Sequence, residues 1–152
     1  MRRVVVYAAA LCVMLSSVVI AQRKISTPEE LDKVMKRAGA FRRVDRAIQT
    51  KNVLEAKSEL STVYQAVADS QSFWIVHKKD DAVKLNKETL AKLQALGKML
   101  SGPELDVAAA TAAFKEAGAA CRACHQQYRV ENENNEYMLK PGSVPGVGDQ
   151  RD

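Results

Sequence analysis

Cys121-Arg122-Ala123-Cys124-His125 closes a long alanine-rich segment, and the reading of these five residues decides how the rest of the chain is understood. Two cysteines separated by two residues and followed at once by histidine supply what covalent haem attachment needs: thiols that reach the vinyl groups and an imidazole that reaches the iron. On a helix, Cys121, Cys124 and His125 fall within roughly 100° of arc, so all three face one porphyrin edge and its metal. Upstream, Leu105, Ala109, Ala113, Ala117 and Cys121 step by four residues, so a helix with a face of small side chains leads into the motif.

Two other uses of such a pair stand beside this one. A structural zinc site takes four ligands, but the only other histidine is His77, and the only other cysteine, Cys12, lies in a segment expected to be removed. A thioredoxin-type redox pair sits within a βαβ unit, whereas residues 105–120 read as continuous helix.

Residues 1–21 carry Arg2 and Arg3, then an apolar run over 4–20, then Val19-Ile20-Ala21 at the cleavage-rule positions. This is the pattern of a secretory signal peptide cut after Ala21. An uncleaved anchor is the alternative, because the run is just long enough to span a bilayer. Cys12 follows Leu11 instead of a small residue, which argues against lipoprotein processing and leaves it as apolar filler. Export places the protein in the bacterial periplasm, where c-type haem is attached, with no membrane contact after cleavage.

The charge account changes with it. The formal charge of the 152-residue chain is +5, Arg2 and Arg3 included. Without them it is about +3, and two ionised haem propionates would bring it to about +1, so no nucleic-acid footprint survives.

The remainder reads as four helices and no strand. Ser26-Thr27-Pro28-Glu29-Glu30 is a helix start, with capping hydroxyls, proline in the first turn and acids at the positive dipole end. Helix one runs to about Ile48, with Leu31, Val34, Met35, Ala38, Phe41, Val44 and Ile48 forming an inward stripe. Helix two covers 51–68, and a polar break at 69–72 precedes Phe73-Trp74-Ile75-Val76. Helix three continues through Leu90, Leu93, Leu96 and Leu100 and stops at Ser101-Gly102, and Pro103-Glu104 opens helix four. Beyond Arg129 the asparagines, glycines and prolines predict a mobile tail. The domain reading is therefore signal peptide 1–21, helical domain 22–131 and flexible tail 132–152.

Four amphipathic helices with short connections predict an all-α protein, an antiparallel four-helix bundle with its haem near the C-terminal helix. The order of motifs adds a resemblance. With Cys121 to His125 on the last helix, Phe114 before it and Tyr128-Arg129 after it, the chain resembles the class II cytochromes c, the cytochrome c-prime family of exported bacterial haem proteins. The stretch from Phe114 to Arg129 is similar to that family's C-terminal signature, and Trp74 in Phe73-Trp74-Ile75 is a second point of similarity.

The resemblance implies one covalently bound haem c per chain, with Cys121 and Cys124 forming the thioethers and His125 as proximal iron ligand. It also directs attention to the first helix, which faces the other side of the iron. Val34-Met35-Lys36-Arg37-Ala38-Gly39 resembles the low-spin subgroup that presents a methionine there, making Met35 the second axial ligand. Periodicity alone would make Met35 a core residue. Many members carry an arginine for the haem propionates one turn earlier, where this chain has Leu31. Met99 and Met138 are lesser ligand candidates, His77 in its polar run is expected to be exposed, and Arg122 and Arg129 flank the ligands as candidate partners of the propionates.

The expected function is a single-electron carrier, not an enzyme, since no nucleophile with a base and no carboxylate pair is recognisable. The alternative is a five-coordinate gas-binding protein, a scavenger or sensor of nitric oxide or carbon monoxide. A peroxidase-like activity would want a polar distal residue that helix one does not offer. Redox proteins with acidic surfaces are the expected partners, steered by the lysine-rich face of helix three. Helix-to-helix homodimers are common in the family, but no apolar stripe here is clear enough to assign one.

Overall fold

A computed structural model describes residues 24–134, 136–145 and 147. The expected signal peptide, with Cys12, lies outside the described residues. The elements in order are α1 (Pro28–Ala38), α2 (Phe41–Gln49), α3 (Val53–Val76), α4 (Asp80–Met99), α5 (Val107–Tyr128), β1 (Arg129–Glu131) and β2 (Tyr137–Leu139). With α1 and α2 as two parts of one arm, they build the four-helix bundle the sequence predicts. Among the described residues no helix is long and apolar enough to cross a membrane.

The first arm starts where expected. Thr27 Oγ1 accepts the Glu30 amide while the Glu30 carboxylate accepts the Thr27 amide, a reciprocal cap with Pro28 at the first turn. It does not run unbroken to Ile48. The Gly39 and Ala40 amides turn to Lys36 O and Arg37 O, three residues back, and α2 starts afresh at Phe41. A Cβ at Gly39 would stand 3.0 Å from Lys36 O, so this tightened turn favours glycine. α1 packs chiefly on α3, whereas α2 packs on both α3 and α5.

The expected break at 69–72 is absent, because its polar side chains have partners inside the bundle. Asp69 accepts from Arg37 of α1 and from Gln65. Ser70 Oγ donates to Val67 O, and Ser72 Oγ accepts the Ile25 amide at 2.8 Å. α3 therefore runs on to Val76, carrying Phe73 and Trp74 at its end, and the chain turns at Lys78, whose φ is 55°. α5 also begins later than expected. Asp106, not Pro103-Glu104, caps it, its Oδ1 accepting the Ala109 amide at 2.9 Å.

Beyond α5 the described residues depart most from the sequence reading, which had no strand. Arg129↔Leu139, Val130↔Met138 and Glu131↔Tyr137 pair in a short antiparallel hairpin. Asn132 closes its turn, with Oδ1 accepting the Asn134 and Glu136 amides. The chain then returns to the bundle, where Val144 is 1% exposed. The apolar interior forms two clusters. One joins α2 to the α3, α4 and α5 segments around Val44, Ile48, Leu60, Leu93, Leu96 and Ala117. The other gathers Ile25, Leu31, Val34, Phe73, Trp74, Tyr128 and Val144 at the opposite end.

Candidate haem site

α5 carries the motif on a turn that lies half inside the second cluster. Cys121, Cys124 and His125 are all half-buried, and both cysteines are free thiols. Cys124 packs at the margin of the second cluster, and so does Met35 from α1. The structure thus brings Met35 and Cys124 to one apolar region. Among the described residues there is no group of three or more His, Cys, Asp or Glu side chains that could hold a metal ion.

Burial sets the electrostatics. It pushes the Cys124 thiol up to about 11, helped by Cys121 and Asp81, and it raises Cys121 as well. It lowers the His125 imidazole, and the Arg129 guanidinium nearby lowers it further. A neutral imidazole is the form that offers a lone pair to iron.

Arg129 Nη1 donates to His125 Nδ1 at 3.2 Å, which places the ring proton on Nε2. An imidazole that gives Nε2 to a metal carries its proton on Nδ1, so the guanidinium must then release the ring. It has a second seat, because its central carbon lies 3.3 Å from the centre of the Tyr137 ring. Its Nε–H is buried with no acceptor. An ionised carboxylate such as a haem propionate would satisfy that donor. Two thiols and an imidazole on one helical face, an apolar surround and a buried unpaired cationic donor together fit covalent haem.

Next to the motif, Tyr128 is buried with its ring 4.8 Å from Trp74, and its hydroxyl bonds the Asp81 carboxylate. That hydrogen bond holds Asp81 below its ordinary value, while burial and Asp81 raise the phenol. On the same face of α5, about two turns before Cys121 and three before His125, Phe114 stacks on Phe41 at 4.1 Å, and Gly118 lies beneath the Phe41 ring.

Several sequence expectations shift. His77 is half-buried, not exposed: its ring lies 4.3 Å from Phe73 and Nε2 donates to Ser26 O at 3.0 Å. Met99 is 46% exposed at the end of α4, beside Leu100 of the first cluster, and Met138 is 47% exposed on the hairpin face shared with Val130. Leu31, in place of an arginine, is buried in the second cluster. Arg122 is exposed near Gly118. The Arg129–His125 contact had a signal in the sequence, the four-residue spacing on a helix. The Tyr137–Arg129 contact and Asp81 had none.

A four-helix bundle with a Cys-X-X-Cys-His motif facing an apolar cluster from its last helix defines a bundle protein of c-type haem. A model of the Cytochrome C' family matches residues 25–129. The chain belongs to that family, which implies a monohaem c-type cytochrome with covalently bound haem and its iron. Neither a curated protein nor a solved structure matches the chain.

Proposed function

We propose that this is a periplasmic electron carrier, not an enzyme, with one haem c bound through Cys121 and Cys124 and with His125 and Met35 as axial ligands. The observation that supports it is the convergence of Met35 from α1 and Cys124 from α5 on one apolar cluster. The haem supplies one-electron chemistry, its iron cycling between ferrous and ferric. The chain's own residues set the terms. The two thiols anchor, the buried imidazole stays neutral, and the Met35 thioether, a soft donor, favours the reduced state and raises the potential. Leu31, Val34 and Trp74 keep the region dry and low in dielectric, which strengthens that preference.

Lys84 and Lys87 are exposed on α4 and present a basic surface to acidic redox proteins. Residues 1–21 carry the export reading. α1 turns no polar side chain inward among Leu31, Val34 and Met35, which disfavours peroxidase chemistry.

The test is the optical spectrum of the haem-loaded protein, ferric and ferrous, with carbon monoxide added, alongside Met35→Leu. A low-spin spectrum with a weak far-red sulfur-to-iron band that Met35→Leu abolishes, and slow carbon monoxide binding, is expected. A high-spin spectrum unchanged by Met35→Leu, with ready carbon monoxide binding, would overturn Met35 ligation and make the protein a binder of small gases.

A further inference from the structure

The family match ends at Arg129, yet the described residues beyond that point fold against the ligand-bearing end. α5 packs closely on α4 and α2 and less on α1, so the helices alone leave an interval between α1 and α5 at the level of the second cluster. Val144, Leu139 and Val147 share that cluster with Leu31, Val34 and Met35 of α1 and with Cys124 and Tyr128 of α5. The Lys140 amide donates to Tyr128 O at 2.9 Å and its Nζ donates to Gln126 O at 2.6 Å, tying the returning chain to the last turn of α5. The Tyr137 ring covers the Arg129 guanidinium from the other strand of the hairpin.

We propose that this C-terminal segment is a strap that closes the α1–α5 interval and controls entry of small molecules to the haem. Val144 is its plug and the Tyr137–Arg129 contact its clasp. Three strand pairs and a few apolar side chains hold it, so it opens more easily than the helices it covers. The cation contact uses the ring face of Tyr137, so the hydroxyl is dispensable. Met138 and Val130 lie on the outward face of the hairpin and take no part. The inference rests on haem attachment at Cys121 and Cys124 and is independent of whether Met35 binds iron.

The experiment uses the haem-loaded full chain and the variants Val144→Ser, Tyr137→Ala, Tyr137→Phe and Met138→Ala. It measures imidazole association with the ferric protein and hydrogen exchange at the Lys140 amide, with far-ultraviolet circular dichroism to verify the helices. Val144→Ser is expected to speed both by about tenfold, the effect of losing one buried aliphatic anchor from a local closure. Tyr137→Ala is expected to speed both in step, Tyr137→Phe to restore them, and Met138→Ala to leave them unchanged. Faster Lys140 exchange with unchanged imidazole association would overturn control of access, and unchanged exchange in Val144→Ser would overturn the strap itself. The ratios are read in the parent and again on a Met35→Leu background, where no thioether has to leave the iron before imidazole binds, and the spectrum of the parent judges Met35 separately.

Discussion

Haem-free protein is expected to lose stability on the alkaline side through one thiol. Cys124 ionises at about 11 in the folded chain against an ordinary 9.0, because burial penalises the thiolate. Folded chains therefore hold a proton that unfolded chains have released, and the contribution is fully present below pH 9.0 and lost as pH climbs through about 11. Keeping the thiol neutral over that interval corresponds to about 2 to 3 kcal/mol, a substantial fraction of the net stability of a small domain. Urea unfolding of the reduced, haem-free chain at steps across this range measures it. Cys124→Ala should reduce the decline, leaving the parts from Cys121 and from Tyr128, both also raised by burial. In the haem-loaded protein the sulfur is a thioether with no proton to lose, and the Cys124 part of the decline should vanish. A parent whose midpoint is level across the range, or an equal decline in Cys124→Ala, would refute the reasoning.

The His125 imidazole is depressed by burial and by Arg129, so haem-free protein should also weaken as pH falls below the ordinary 6.5. Nuclear magnetic resonance titration of Arg129→Gln should show the imidazole pKa move up. At Gly118, a Cβ would stand 3.3 Å from Phe41 Cε1, so Gly118→Val should push the ring off Phe114 and cost about 1–3 kcal/mol by urea unfolding. Gly118→Ala should come out near neutral, its helix propensity gain of about 1 kcal/mol offsetting the tighter contact. The Asp69 side chain is 8% exposed and holds Arg37 and Gln65, so Asp69→Ala should cost about 1–3 kcal/mol. Breaking the exposed Lys92–Glu116 pair by Lys92→Ala should leave the unfolding midpoint unchanged.

The helical architecture was legible because its signals are local. Thr27 to Glu30 announces α1, and leucines at three- and four-residue spacing announce α4. The misreadings share a cause: a polar side chain looks the same whether its partner is water or protein. Asp69, Ser70 and Ser72 read as a break until Arg37, Val67 and Ile25 are seen to satisfy them. The hairpin was illegible for a related reason. Three-residue strands are too short for alternation to register, and Val144 and Val147 stand isolated among glycines and prolines. Of the candidate haem site, the motif was plain from spacing. The clasp of Tyr137 on Arg129 depends on a chain reversal that no local pattern encodes.

The division of the interior into two clusters separates the scaffold from the candidate haem site. The cluster around Val44, Ile48, Leu93 and Leu96 joins α2 to the rest of the bundle and includes neither Met35 nor any residue of the haem motif. Buried Ser70, Asn86 and Thr89 lie along α3 and α4 between the two regions. Replacing the side chain at position 35 therefore alters an iron ligand candidate while the larger scaffold keeps its packing. Under the proposed function, the choice between electron transfer and gas capture would thus be set at one end of the molecule, apart from the packing that holds the helices together.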